Sequence, residues 1–274
     1  MIFLFLITIL YLKFIEDMSK SFSLDFLGDA KWVLQVKITR TENSIIINQS
    51  KYIIDMLEKF GMTDCKSATT PMEKEIIKSD TKCDKHEYMS LVGSLIYVAV
   101  VTRPDIAFAV STVSQSMSDP TSSDFIAAKR ILRYLKGTID LGITYSNFNN
   151  ENNDLLGYSD SDWGGDKETR KSTTGYVFMY ANAAISWSSR KQQTVALSST
   201  EAEYMAGCNA VQELLYLRVL FQDLGHLQMD QQFYSKIIKV QSNLQKISSL
   251  QREQNTLISN FILLDNILKK GGLM

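Results

Sequence analysis

The first half of the chain begins with strand patterns and continues with helical ones. Aromatic and β-branched residues in "KWVLQVKITR" and "SIIIN", separated by the polar "TEN", predict a hairpin from Trp32 to Asn48. Tyr52, Ile53, Met56, Leu57 and Phe60 then recur at helical spacing, and Gly61 is placed to end that helix. Further helices are predicted in "HEYMSLVGSLIYVAVV", in "TRPDIAFAVSTVSQSM" with Pro104 in its first turn, and in "SSDFIAAKRILRYLKG".

The second half of the chain begins after the polar run "NFNNENND" and has strand patterns followed by a long helical pattern. Three strands are predicted in "LLGYSDSDW", "STTGYVFMY" and "AAISWSSRK", as an antiparallel meander. A long helix follows from Thr200 to Leu224; Ser198 and Glu201 form a capping box at its start and Gly225 ends it. The segment "KIIKVQS" adds a possible fourth strand, and residues 250–270 read as helical. These elements predict an α/β chain of the α+β type, with domains at 1–146 and 155–274 and a linker at 147–154.

Composition narrows the classes of function. The 29 Lys and Arg residues balance 30 Asp and Glu residues, so any nucleic-acid binding has to come from a local patch. The three cysteines form no CxxC pair and there are two histidines, which argues against a zinc cluster or a disulfide framework and favours reduced, intracellular thiols.

The chain starts with an apolar run from Ile2 to Leu12. Its 11 residues match the core of a signal peptide and are too few to span a bilayer. No basic residue precedes the run and no small-x-small cleavage site follows it. A buried strand or core segment ranks first, a signal or anchor second, and a stable membrane span is not expected.

Two aspartates close the first strand of the second half. In "GYSDSDWGG" the spacing of Asp160 and Asp162 puts both on one face of a strand, which is unfavourable for like charges without a cation nearby. A second carboxylate follows in the long helix. Glu203 shares a face with Ala206, Gly207 and Ala210, on the side expected to pack against the sheet.

A buried Glu needs a cation or is neutralised, so Asp160 and Glu203 are candidate metal ligands facing one another across the sheet–helix interface. Carboxylates without nearby His or Cys suit Mg²⁺ or Mn²⁺, ions that promote phosphodiester hydrolysis. The alternative is structural: the aspartates cap a turn and Glu203 reaches solvent. On spacing alone, the structural alternative is favoured.

Four cations recur at helical spacing in the helix before the linker: Lys129, Arg130, Arg133 and Lys136. They are predicted to point largely toward solvent and would form a compact patch for phosphates. On charge alone, an ordinary solvated helix face is the favoured reading.

Residues 155–225, from "LLGYSDSDWGG" to "LFQDLG", closely resemble the ribonuclease H domain of copia-type retrotransposon Pol polyproteins. Upstream stretches such as "QSKYIIDMLEKFGMTDCKSATTPM" and "AAKRILRYLKGT" are similar to the region after the polymerase palm, and the resemblance covers about residues 24 to 246. It implies an RNase H-like mixed sheet with flanking helices, preceded by a smaller, mainly helical reverse-transcriptase-derived region with a β-hairpin. It also implies two divalent metals, Mg²⁺ or Mn²⁺, and cleavage of the RNA strand of an RNA–DNA hybrid, with Asp160 and Glu203 as the matching catalytic residues.

The departures from the family concern its other acidic positions. The third carboxylate of the family falls at Asn243 in "SNLQKI", and no acid occupies the expected place of the fourth, near Leu257. Asn offers a neutral carbonyl oxygen and no charge, so metal binding is expected to be impaired. The YVDD motif of the polymerase would precede "MIFLF", so no polymerase activity is expected and the apolar run resembles a palm strand.

Three hypotheses follow. The chain is a metal-dependent RNA–DNA hybrid ribonuclease, a non-catalytic nucleic-acid- or protein-binding relative of one, or a secreted effector-like protein. Asn243 favours the second hypothesis, whereas the intact Asp160 and Glu203 keep the first open. The third rests on the apolar run and on the similarity of such chains to effector-like proteins, and intracellular residence is favoured over secretion.

Overall fold

The computed structural model describes residues 18–23, 28–73, 81–146 and 155–224. The chain divides into two compact units. One contains Met1–Asn153 together with Met179–Arg190, and the other contains Asp154–Phe178 together with Lys191–Met274. Helices and antiparallel sheets occur side by side, so the fold class is α+β.

The sheet of the first unit contains β1 (Trp32–Val33), β2 (Val36–Arg40), β3 (Ser44–Asn48) and β4 (Ile143–Ser146), in that order and antiparallel. The predicted hairpin is confirmed in β2 and β3. The stretch predicted as its first strand is divided into β1 and β2 by a turn at Leu34 and Gln35, which both have positive φ. The sequence analysis missed β4, a strand of 4 residues that pairs with β3 from Ile47↔Ile143 to Ser44↔Ser146.

The helices of the first unit follow the predicted apolar pattern. They are α1 (Ser50–Lys59), α2 (Lys85–Val101), α3 (Ala107–Ser114) and α4 (Ser122–Gly137). Gly61 adopts φ +62° just after α1, as a residue that ends a helix does. Pro104 begins a 3-10 turn, Pro104–Ile106, that leads into α3, so the predicted helix starts as a tighter turn. Their buried faces form one core, which includes Ile53, Leu57, Tyr88, Leu91, Leu95, Val98, Ile106, Val110, Ile131, Leu132 and Leu135.

A charged side chain is also buried in this unit. Arg103 is 2% exposed, and its guanidinium makes two hydrogen bonds to the Asp105 carboxylate, at 2.9 and 2.7 Å. It donates as well to the carbonyl and hydroxyl oxygens of Thr138, at 2.9 and 2.6 Å, which ties the start of α3 to the end of α4. Burial alone would raise the pKa of Asp105, but Arg103 and the Tyr134 hydroxyl hold that pKa below its usual value.

The second sheet has the order β5-β6-β7, with β5 at Leu156–Ser161, β6 at Thr173–Tyr180 and β7 at Ala183–Lys191. This confirms the three predicted strands. Ala181 and Asn182 make the turn between β6 and β7 with positive φ. Residues 179–190, which comprise the end of β6, the turn and β7 up to Arg190, belong to the first unit. There Ala181 and Ala183 are buried in one cluster with Val36, Ile38, Ile47, Ile143 and Tyr145.

The long helix α5 (Ser199–Asp223) packs against β5. Ser198 accepts a hydrogen bond from the Glu201 N–H at 3.1 Å, which is the first half of the predicted capping box. The Glu201 carboxylate instead accepts from the Leu197 N–H at 2.7 Å, one residue before the expected partner.

Several predicted elements fall outside the described residues. They are the apolar run from Ile2 to Leu12, the linker 147–154, the stop at Gly225, the strand "KIIKVQS" and the helical segment 250–270. Across the ranges that the structure describes, no helix combines the length and the apolarity needed to cross a bilayer.

Candidate functional site

Asp160 lies near the end of β5 and its side chain is exposed. Side chains alternate along a strand, so Asp160 shares its face with Leu156 and Tyr158, which are 39% and 41% exposed. The opposite face carries Gly157, which is buried, and half-buried serines. Asp160 therefore stands on the open face of the strand.

The turn after β5 is held by hydrogen bonds of its own acidic residues. The Asp162 N–H donates to the Thr173 carbonyl at 3.2 Å, and the Asp162 carboxylate accepts from the Thr173 N–H, so Asp162 joins the start of β6 to the end of β5. Gly165 has to lack a side chain here, because a Cβ would overlap the Asp162 carboxylate. Asp162, predicted to share a strand face with Asp160, therefore has a structural role in this turn.

Asp166 closes the same turn. One of its oxygens accepts from the N–H groups of Glu168 and Thr169, at 2.8 and 3.0 Å, and the other is paired with the ammonium of Lys191. The Lys191 hydrogen bond and the Thr169 N–H hold the pKa of Asp166 well below its usual value. The turn is therefore fixed to the end of β7 by a charged contact.

Glu203 lies in the first turns of α5 and is half-buried. The buried stripe of the helix consists of Ala202, Ala206, Ala210, Leu214, Leu217 and Phe221. Glu203 is three and seven residues before Ala206 and Ala210 of this stripe, so it lies on their side of the helix, and its role as a metal ligand stays a prediction. Asp160 is exposed on β5 and Glu203 is half-buried on α5, so an ion shared by their carboxylates would lie at the margin of the sheet–helix contact.

The donor chemistry fits a hard divalent cation. β5 and α5 pack together and each carries one carboxylate, and Mg²⁺ is commonly held by one or two carboxylates with water and substrate phosphate completing its shell. Within the described ranges, no group of three or more His, Cys, Asp or Glu side chains is arranged to hold a metal. Asn243 and Leu257 lie outside these ranges, so metal binding by Asp160, Glu203 and Asn243 stays a prediction.

Sequence reasoning missed a buried polar side chain beneath the start of α5. Gln192 is 5% exposed, and its amide nitrogen donates to the Thr174 hydroxyl and to the Ala202 carbonyl, both at 2.9 Å. The only sequence signal is a polar pair, "KQ", at the end of the last strand. That signal does not reveal burial, because the partners lie 10 and 18 residues away.

The predicted basic cluster in α4 is half-buried rather than largely exposed. Arg130 pairs with Glu73 at 2.6 Å, Arg133 donates to the Lys66 carbonyl at 2.7 Å, and Lys136 donates to the carbonyls of Thr63 and Cys65 at 2.6 and 2.7 Å. The Lys129 ammonium lies 4.2 Å from the centre of the Phe125 ring. These contacts attach residues 63–73 to α4, and phosphate binding by the four cations stays a prediction.

Comparison with known proteins relates most of this chain to one group of proteins. A family model described as reverse transcriptase (RNA-dependent DNA polymerase) matches residues 7–74. The Retrovirus-related Pol polyprotein from transposon TNT 1-94 of Nicotiana tabacum is 41% identical over 221 residues, which is 76% of this chain and 16% of that protein. The chain spans less than a fifth of the length of the Pol polyprotein relatives that it matches.

Two shorter relatives are covered almost completely. An uncharacterized mitochondrial protein of Arabidopsis thaliana is 39% identical over 205 residues, covering 74% of this chain and 84% of the relative. The Secreted RxLR effector protein 161 of Plasmopara viticola is 50% identical over 132 residues, covering 48% and 92%. No solved structure matches. The chain therefore belongs to the Pol polyprotein family of copia-type retrotransposons and carries part of its reverse transcriptase.

Proposed function

We propose that residues 155–274 descend from a metal-dependent RNA–DNA hybrid ribonuclease of the ribonuclease H type and that hybrid cleavage in this chain is impaired. The observation that carries the proposal is the packing of α5 on β5, since these elements bear Glu203 and Asp160. Two carboxylates on adjacent elements are what the chemistry of this lineage requires first.

A bound Mg²⁺ or Mn²⁺ would supply a nucleophilic water and stabilise the leaving oxygen of the phosphodiester. The chain's part in this is to present carboxylate oxygens at the end of a strand, next to an open sheet face. Asp160 is exposed and accessible to a phosphate group there. A hybrid duplex would be contacted through its backbones and its A-like groove rather than through base edges.

The impairment is inferred from the acidic positions of the second half. Asn243 stands where the family has its third carboxylate, and no acid occupies the expected place of the fourth, near Leu257. With Asn243 in place of an acid, the site has one negative charge less to hold two dications.

The test is a hybrid-cleavage assay with the purified full chain in Mg²⁺ and in Mn²⁺. We expect a rate below about 1% of that of an active hybrid ribonuclease assayed alongside, because even a lost contact behind a metal ligand costs 10- to 100-fold. Asn243→Asp alone is expected to restore only part of the activity, since the acid missing near Leu257 stays missing. Robust cleavage by the unmodified chain that Asp160→Asn abolishes would contradict the impairment and support an active enzyme.

A second candidate is binding without cleavage, which Asn243 in place of the family's third carboxylate favours. For this candidate we expect fluorescence anisotropy to detect binding of a labelled RNA–DNA hybrid. The Asp160→Asn and Glu203→Gln variants should bind it with the same affinity as the original chain. Loss of binding in both variants would return the function to the carboxylate site.

A further inference from the structure

Two consecutive residues at the end of β7 contact the two segments that carry the candidate metal ligands. The Lys191 ammonium is paired with Asp166, in the turn that follows Asp160. The Gln192 amide is bonded to the Ala202 carbonyl, in the helix turn that carries Glu203. Neighbouring residues of an extended segment point in opposite directions, so one dipeptide reaches both segments.

The Gln192 contact is placed directly beside Glu203. The carbonyl of Ala202 belongs to the peptide group whose nitrogen is that of Glu203, so the amide of Gln192 fixes the backbone from which Glu203 extends. The same amide donates to Thr174 on β6, and the Gln192 N–H donates to the Ser172 carbonyl at 2.8 Å. The Gln192 side chain, which is 5% exposed, thereby joins this helix turn to β6.

The Lys191 contact does the same for the other ligand. The Asp166 carboxylate accepts from two backbone N–H groups of its turn and is paired with Lys191. Lys191 therefore attaches the backbone of this turn to the end of β7. That turn begins at Asp162, two residues after Asp160, and is joined to β6 by the Asp162–Thr173 hydrogen bonds. The end of β7 thus contacts both the turn that follows Asp160 and the helix turn that carries Glu203.

We propose that Lys191 and Gln192 are positioning residues that set the distance between Asp160 and Glu203, with Gln192 acting through the Ala202–Glu203 peptide group. This inference rests on the proposed function, because it assigns a role in the metal site of that function. Gln192 touches neither an ion nor a substrate in this account. Its effect is on the geometry that a divalent ion meets.

A purely structural role would also make Gln192 costly to replace, and Gln49 provides a matched control. Gln49 is 0% exposed in the first unit, and its amide oxygen accepts from the Thr102 hydroxyl at 2.8 Å. Each of the two glutamines also has one side-chain polar atom without a hydrogen-bond partner in the described part of the chain. Gln192→Met and Gln49→Met therefore remove comparable buried amides, and only the first lies beside Glu203.

The experiment measures Mn²⁺ binding by isothermal titration and amide hydrogen exchange in the full chain. For Gln192→Met we expect the Mn²⁺ dissociation constant to rise at least about 10-fold, as it does when a group behind a metal ligand is lost, and exchange at residues 202–207 to become faster. For Gln49→Met we expect a dissociation constant within about 2-fold of the original and unchanged exchange there. An equal effect of both variants on Mn²⁺ binding would overturn the proposal, and so would no effect of Gln192→Met.

Thr174→Val is the second variant if Gln192→Met does not fold. It removes one partner of the Gln192 amide with little change in volume, and we expect a smaller effect in the same direction. Mn²⁺ binding that is absent in the original chain, or that Asp160→Asn leaves unchanged, counts against the proposed function instead. In that case unchanged exchange at residues 202–207 in Gln192→Met overturns the positioning role, and faster exchange there supports it.

Discussion

At the scale of single residues, the charges with low exposure each have a partner that a neighbouring element provides. The side chains of Asp166 and Lys191 are 20% and 24% exposed and form an ion pair between a turn and the end of a strand. Arg103 is more deeply buried and uses Asp105, Thr138 and the Tyr134 ring. Removing one partner from such a pair leaves a charge that water only partly solvates, which is why these positions are sensitive.

We expect Lys191→Met to lower the free energy of unfolding at pH 7 by roughly 1–2 kcal/mol, the lower part of the range for a hydrogen bond to a charged group, because water still reaches the pair. The folded-state pKa of Asp166 is depressed below the ordinary 3.8. Its contribution is therefore present above pH 3.8 and is lost as the pH falls from there through the folded-state pKa. The original chain should lose more stability than the variant over that range, in urea unfolding followed by circular dichroism.

The exposed Lys37 is the control for this change. Lys37→Met is expected to alter stability by less than about 0.5 kcal/mol and to keep the original pH dependence. A parallel pH dependence in Lys191→Met and the original chain would contradict the role of the Asp166 pair.

Residue types and spacing identify Asp160 and Glu203 as candidates, because like charges on one strand face and an acid beside small helix residues are local features. The same reasoning does not find Gln192 or Arg103. Their roles depend on partners from other elements, such as Thr138, which is 35 residues from Arg103. Local patterns therefore reveal candidate ligands more readily than the residues that hold them.

At the scale of elements, α4 is the helix whose polar side chains act most clearly within the fold. Arg130, Arg133 and Lys136 attach the segment 63–73 to it through one carboxylate and three backbone carbonyls. Carbonyl groups of a segment without regular structure need such donors. The cluster has therefore an intramolecular use that the charge pattern alone does not suggest.

We expect Lys136→Met to lower the free energy of unfolding by roughly 1–3 kcal/mol, because the carbonyls of Thr63 and Cys65 lose a charged donor. Lys129→Met is the comparison on the same helix. It should cost less than about 1 kcal/mol, since Lys129 contributes a cation–π contact with Phe125. Urea unfolding of the full chain measures both values.

The affinity of the Lys136→Met variant for an RNA–DNA hybrid tests the alternative role of these cations. If the four cations bind phosphates instead, Lys136→Met leaves the unfolding curve unchanged and weakens binding of a labelled hybrid in a salt-dependent way. That outcome would contradict the intramolecular role.

Apolar spacing predicts the helices of both units well, because α1 and α4 each bury one continuous stripe. It misses β4, since 4 residues next to a polar run carry little pattern and the strand exists through its pairing with β3. On α5, Ala206 and Ala210 are buried as predicted, and the buried stripe begins four residues earlier, at Ala202.

At the scale of the whole molecule, the two units are not consecutive pieces of chain. Residues 179–190 join the first unit although the residues before and after them belong to the second. Within the first unit, the Trp187 indole donates to the Ala99 carbonyl at 2.8 Å and the Tyr145 hydroxyl donates to the Ala184 carbonyl at 3.0 Å. The polar linker predicts a boundary between the units, but it does not predict that residues 179–190 belong to the first unit.

A chain cut to residues 1–153 is therefore expected to unfold at lower urea concentration than the first unit of the full chain. It lacks the buried side chains of Ala181 and Ala183 and exposes their apolar partners on the sheet, a loss of about 2 kcal/mol or more. Binding of a hydrophobic dye and the urea midpoint measure the effect. Trp187→Phe in the full chain, which removes one hydrogen bond, should show a smaller loss, and an unchanged midpoint for residues 1–153 would contradict the account.

The most direct test of the proposed lineage is a crystal structure of the full chain soaked in Mn²⁺, with the ion located by its anomalous scattering. The account predicts one Mn²⁺ peak at about 2.2 Å from oxygens of both Asp160 and Glu203, with Asn243 close by. A Glu203 side chain directed to solvent, with no peak between it and Asp160, would contradict it.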